Sequence, residues 1–140
     1  MINLIIGTKG SGKTSQMVDD LNDHAMDNAK NVVCIERGRR LDRYVRYQIR
    51  LIDISEYPVD NFSQLLSFIA GISAKDFDIT HIYIDSIFKV ANSEDYGELE
   101  KFLNDLKEFT KDQTFTIHVL LSAEMHELSE GVAKYVTETI

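Results

Sequence analysis

Short apolar runs alternate along the chain with stretches whose apolar positions recur every three or four residues. The runs Ile2–Ile6, Asn31–Glu36, Ile49–Ile54, Thr80–Ile84 and Thr116–Leu121 are rich in β-branched residues and predict strands. Between them, Met17, Val18, Leu21, Ala25 and Met26 share one face of a helix predicted over Lys13–Ala29. Phe62, Leu65, Leu66 and Ile69 do the same for Asp60–Ile72, and Leu99, Phe102, Leu103, Leu106 and Phe109 for Glu98–Lys111. Glu124–Glu130 reads as a helical turn and Lys134–Thr137 as a short closing strand.

Strands alternating with helices predict an α/β fold: a mostly parallel sheet covered on both faces, with three layers in all. Strands buried on both sides should be nearly all apolar, as Ile2–Ile6 and Val32–Ile35 are. Ligands of such sheets bind beyond the carboxyl ends of the strands. The residues that follow those ends are Gly7, Glu36, Asp85 and Ser122. A length of 140 residues fits one domain spanning the chain.

Composition narrows the picture. A hydrophobic fraction of 44% is ordinary for a globular protein. No run approaches the ~20 apolar residues of a membrane helix, and no signal-peptide pattern opens the chain. The lone Cys34 makes no internal disulfide and reads as a small buried hydrophobe. His24, His81, His118 and His126 lack metal-ligand spacing, and His118 falls within a predicted strand. These features predict a soluble cytoplasmic protein. The net charge of −8 opposes broad binding to nucleic acid or anionic lipid. Its distribution is uneven: all six arginines lie between Arg37 and Arg50 beside one acid, Asp42, so this segment carries +5 and the rest −13.

The candidate chemistry starts after the first strand. Gly7-Thr8-Lys9-Gly10-Ser11-Gly12-Lys13-Thr14 fits the phosphate-loop pattern GxxxxGK[ST], between a predicted strand and a predicted helix. Glycines let successive backbone amides turn inward as an anion nest, and the helix points its positive end at the same place. Lys13 supplies a cation for the outer phosphates, and Thr14 a hydroxyl for Mg²⁺. The pattern predicts binding of a nucleoside triphosphate, ATP with Mg²⁺. Asp85, after Ile82-Tyr83-Ile84, is placed to hold the metal through water, in the manner of a Walker B aspartate.

Ile84-Asp85-Ser86 lacks the glutamate that many phosphate-loop ATPases carry after the metal-binding aspartate. With the loop upstream, the chain resembles the RecA/KaiC-like branch of P-loop NTPases, as a minimal single-domain member. The resemblance implies a RecA-like sheet in which the Thr116–Leu121 strand lies between the Ile2–Ile6 and Thr80–Ile84 strands. It further implies that Glu36 is the catalytic carboxylate, beside Lys13. Leu51-Ile52-Asp53 resembles the branch's edge strand, and Val119-Leu120-Leu121-Ser122 its sensor strand, with Ser122 near the nucleotide.

Three functions fit this reading: a small Mg²⁺-dependent ATPase, a nucleotide-dependent binding or regulatory module, and a kinase acting on a small acceptor. The arginine segment has three readings as well. It is a solvated basic loop, a source of contacts to nucleotide phosphates in the same or a neighbouring subunit, or a dock for an acidic partner. Nucleic acid is a less favoured occupant, although Tyr44 and Tyr47 could stack on bases or equally pack on the sheet edge.

Overall fold

The computed structural model of the chain describes residues 1–76 and 78–140. Strands β1 (Ile2–Gly7), β2 (Val32–Glu36), β3 (Arg50–Asp53), β4 (His81–Ile84), β5 (Thr116–Ser122) and β6 (Val136–Thr139) form one sheet. Helices α1 (Lys13–Ala25), α2 (Phe62–Lys75), α3 (Ile87–Ala91), α4 (Tyr96–Thr110) and α5 (Glu130–Ala133) connect them. The strand order is β3-β2-β4-β5-β1-β6. Every pairing is parallel, so the sheet is wholly rather than mostly parallel. β5 lies between β1 and β4, the order expected from the sequence.

Alternation along the strands sorts the side chains onto two faces. Leu4, Ile6, Val33, Ile35, Ile82, Ile84, Ile117, Val119 and Leu121 point into a large core shared with Leu65 and Ile69 of α2, Val90 of α3 and Leu99, Leu103 and Leu106 of α4. The residues between them, Cys34, Tyr83 and Leu120, meet Met17 and Leu21 of α1. Leu41 and Ile49, from the segment between β2 and β3, complete this second layer. Each fully buried aliphatic side chain contributes about 1.5–3 kcal/mol. Among the described residues, no helix is long and apolar enough to cross a membrane.

The boundaries depart from expectation where local hydrogen bonds intervene. α1 stops at Ala25 rather than Ala29, because the Asp27 carboxylate accepts the Ala29 amide at 2.9 Å and closes a turn. Asn61 and Asp95 cap α2 and α4 by accepting the amides of Gln64 and Glu98. The turn expected over Glu124–Glu130 divides into a 3-10 turn, Met125–Glu127, and α5, which Ser129 caps. The closing strand sits at Val136–Thr139, pairing with β1. α3 has no counterpart in the sequence reading.

The face under α1 carries a row of rings. His24 stacks on His81 at 4.1 Å, His81 on His118 at 5.7 Å, and His118 on Tyr83 at 4.2 Å. The Tyr83 hydroxyl donates to Asp20. His118 Nδ1 lies 3.4 Å from the Asn3 side-chain nitrogen, and its Nε2 is buried without a partner. Burial pulls the His118 imidazole down to about 4; Asp20 opposes this, while His81 and His24 add to it. A histidine whose folded value is depressed contributes stability above its unfolded value near 6.5. That stability is lost as pH falls from about 6.5 towards 4. The contribution is at most about 3 kcal/mol. Urea unfolding at pH 7 and pH 4.5 checks this against His118→Phe, which should flatten the acid loss. The same pH dependence in both proteins would mean that His118 does not carry it.

Candidate functional site

The glycine-rich loop leaves β1 at Gly7, inside the sheet, where no side chain fits. A Cβ there would stand 2.6 Å from Ser11 Oγ and 2.9 Å from the Ile140 carbonyl oxygen. Gly10 and Gly12 take left-handed φ of 84° and 94°, which fold the loop back toward α1. The Ser11 amide donates to the Thr8 carbonyl at 3.0 Å and closes the turn. α1 then begins with no side chain capping its first amides and no acid in its first turn. Its positive end is left free for an anion. Ser11 Oγ is buried in the loop without a partner.

Lys13 lies along this loop with 8% of its surface exposed, its Nζ 3.3 Å from the Thr8 carbonyl oxygen. Burial lowers the pKa of its ammonium from the ordinary value, and the Asp85 carboxylate acts to raise it. Thr14, one position on, donates through Oγ1 to Asp85 Oδ1 at 3.1 Å. Asp85 follows β4 and is 2% exposed. A hydroxyl and a carboxylate in contact beside an uncapped helix end are a donor set for a hydrated hard divalent cation.

Glu36 ends β2, and the parallel register of Ile35 with Ile84 sets it beside Asp85. It is 2% exposed. Its Oε2 accepts the Leu41 amide at 3.2 Å, while Oε1 is buried with no partner among the described residues. Burial raises its pKa, the amides of Leu41 and Arg40 and the Arg40 charge oppose the rise, and Asp85 adds to it. Ser122 ends β5 in register with Gly7, and the next amide, that of Ala123, donates to the Gly7 carbonyl.

A cleft of about 620 Å³ opens over these strand ends. One end is formed by Lys9, Gly10, Lys13 and Thr14, the other by Phe88, Lys89, Glu94 and Tyr96, with Arg40 and Ser122 also lining it. Smaller hollows lie elsewhere, about 370 Å³ between α2 and α4 and about 330 Å³ beneath α1, but neither joins the glycine-rich loop to Ser122. The structure thus brings together Gly7 through Thr14, Asp85 and Ser122. Neither Asp85 nor its neighbour Glu36 lines the cleft itself: Asp85 meets it through the Thr14 hydroxyl, and Glu36 has no such link.

Three of the six arginines have internal partners. Arg37 donates to the carbonyls of Lys89, Val59 and Val90 at 2.7–3.1 Å, and so caps the C-terminal end of α3. Arg39 pairs with Glu56, Asp53 and Asp42, and Arg50 with Asp76. Arg43 and Arg46 stay exposed beside Tyr44 and Tyr47, whose rings do not pack on the sheet edge: they are 60% and 93% exposed. Asn22 of α1 fastens this stretch by donating to the Tyr44 carbonyl and accepting the Arg46 amide.

Sequence reasoning missed the far wall of the cleft. α3 is flanked by Ser86 and Asn92, both left-handed, at φ 59° and 52°. Ile87, Val90 and Ala91, spaced three and four apart, were its only signal. Tyr96 packs edge-on against Phe88 at 5.1 Å. No protein-family model matches the chain, and no curated protein matches it significantly.

Gly7→Ala should lower stability by about 1–3 kcal/mol, because the loop or the residues at Ile140 must move. Urea denaturation measures this, and a change near zero would show that the loop relaxes freely.

Proposed function

We propose that the chain binds a nucleoside triphosphate as its Mg²⁺ complex, ATP in the first instance, and hydrolyses it as a P-loop ATPase of RecA-like type. The observation that supports this most is the meeting, at one helix end, of two adjacent residues with a third some seventy positions away in the chain. The Lys13 ammonium, the Thr14 hydroxyl and the Asp85 carboxylate converge there on a loop bent by left-handed glycines. The backbone of Thr8 through Gly12 and the first amides of α1 would hold the phosphates. Lys13 would neutralise the outer ones, and Thr14 with Asp85 would hold the hydrated metal. Ser11 Oγ, buried in the loop with no partner among the described residues, would gain one if a phosphate displaced the loop enough to expose it. When bound, Mg²⁺ would neutralise charge building on the outer phosphates.

Glu36 is the carboxylate proposed to orient and deprotonate water. Two features support it: an oxygen with no partner among the described residues, and a pKa raised by burial above the ordinary carboxylate value. Its other oxygen is held by the Leu41 amide, so water must reach Oε1 with that turn in place.

A second reading, transfer of the terminal phosphoryl group to a small acceptor, is favoured by the size of the cleft. Phe88, Lys89, Glu94 and Tyr96 line space beyond the loop. Release of ADP that depends on an added acceptor, rather than on water, would select it.

Lys13→Ala should weaken Mg·ATP binding at least about tenfold, since a charged phosphate contact contributes roughly 1.5–3 kcal/mol. Calorimetric titration tests this, and unchanged affinity in a folded variant would remove the proposal. Asp85→Asn should spare metal-free nucleotide binding and reduce the gain that Mg²⁺ brings. An identical Mg²⁺ dependence in both proteins would leave Asp85 as a strand-end hydrogen-bond acceptor only.

Glu36→Gln should keep ATP affinity and lower kcat by roughly 10²–10⁴-fold with little change in KM. Turnover near that of the parent would rule out the base role.

A further inference from the structure

Of the arginines concentrated between β2 and β3, only Arg40 lines the cleft. Arg37, Arg39 and Arg50 are held by carbonyls and carboxylates of their own surroundings. Arg43 and Arg46 lie farther along, on the stretch fastened to α1 by Asn22.

The turn that carries Arg40 is fixed at several points. Gly38 takes a left-handed φ of 104°, and its amide donates to Asp53 Oδ1 at 2.8 Å. Asp53 is the register partner of Glu36 on the neighbouring strand. The Leu41 amide donates to Glu36 Oε2, the Arg40 amide also faces the Glu36 carboxylate, and the Leu41 side chain is buried under α1. The guanidinium of Arg40 is exposed, and no hydrogen bond or ion pair holds it among the described residues. A fixed backbone and a free cation facing a cleft form a pre-organised anion contact.

Topology says which part of an anion it would meet. β2 is separated from β1 by β4 and β5, so its loop approaches the glycine-rich loop from the side of Asp85. The inner phosphates would lie in the amide nest. The terminal phosphate would lie toward the Thr14–Asp85 pair, where Arg40 enters.

We propose that Arg40 contacts the terminal phosphate of the nucleotide bound to its own chain, and that Glu36 is its positioning residue through the amides of residues 40 and 41. This rests on the nucleotide-binding reading above. It makes the chain discriminate triphosphate from diphosphate without help from a neighbouring subunit. The Glu36 carboxylate then has two oxygens with separate roles: Oε2 holds the turn, and Oε1, buried without a partner among the described residues, is the one left for water under the proposed hydrolysis.

The test compares affinities for Mg·ATP and Mg·ADP, by calorimetric titration, in the parent protein and in Arg40→Ala, Glu36→Ala and Glu36→Gln. Arg40→Ala should weaken ATP binding by roughly 10- to 100-fold, the size of a charged phosphate contact. ADP binding should change by less than about twofold, because a contact to the absent phosphate is not there to lose. Glu36→Ala should erase the same ATP preference. Glu36→Gln should keep it, because its amide oxygen can still accept from the turn, even though hydrolysis falls. A merely structural role for Glu36 would weaken both nucleotides alike. Should Glu36→Ala fail to fold, the Arg40→Ala and Glu36→Gln ratios decide.

Mixing Lys13→Ala with Arg40→Ala tells the same chain from a neighbour. Restored ATP turnover in the mixture would mean that Arg40 acts between subunits and would overturn the proposal. So would an unchanged ATP-to-ADP ratio in an Arg40→Ala protein that binds both. If the parent protein binds neither nucleotide, the nucleotide reading itself falls, which is a different result.

Discussion

The parallel register between β2 and β4 is the constraint on which the rest of the site depends. Pairing Ile35 with Ile84 leaves Glu36 and Asp85 as the next residues on adjacent strands, both pointing off the same edge of the sheet. The register of Ile6 with Leu121 does the same for Gly7 and Ser122. A one-residue slip would move Glu36 away from Asp85 and turn every strand side chain to the opposite layer. The apolar faces forbid such a slip, because Val33, Ile35, Ile82 and Ile84 are all buried in one core. The packing of the two apolar faces, one against α2 and α4 and the other against α1, therefore fixes the spacing of polar groups that take no part in either core.

Convergence of this kind has an energetic cost. Glu36 and Asp85 are both nearly inaccessible, and Glu36 Oε1 has no partner. Two neighbouring buried carboxylates repel, and each loses hydration. The fold offsets part of this with the Thr14 hydroxyl on Asp85, the backbone amide of Leu41 on Glu36, and the Lys13 and Arg40 charges nearby. Among the described residues, Glu36 Oε1 is left without a hydrogen-bond partner. On the proposed reading, Mg²⁺ and the nucleotide would complete the electrostatics, and the arrangement is costlier without them. A site optimised only for stability would carry apolar residues at such strand ends.

Much of this was legible in the sequence, because a parallel sheet leaves a strong imprint. Buried strands are apolar throughout, so the residue after each run marks the edge where polar groups gather, as Gly7, Glu36, Asp85 and Ser122 do. Parts that depend on side chain–backbone bonds were not legible. That Glu36 turns into the Arg40–Leu41 backbone rather than into the cleft follows from a turn whose left-handed residue is Gly38. The role of Arg37 depends on carbonyls at positions 59, 89 and 90, far away in the chain. α3 is too short for periodicity to announce, and it relies on left-handed Ser86 and Asn92 at its ends.

The arginine segment shows why a charge count predicts poorly. In sequence, +5 set against −13 invites a reading as one basic patch for one partner. In the structure the six side chains separate by task. Arg37 joins β2 to α3, so the wall of the cleft that begins at Ser86 is tied to the strand that carries Glu36. Arg39 and Arg50 fasten the segment to acids at its margins, exposed pairs that each contribute about 0–1 kcal/mol. Together with Leu41 and Ile49 beneath α1, they leave the turn at residue 40 little freedom. On the proposed reading, Arg40 would meet a ligand phosphate at lower entropic cost because its backbone is already held. The structural arginines and the free Arg40 are therefore parts of one arrangement, in which the first group fixes the position of the second.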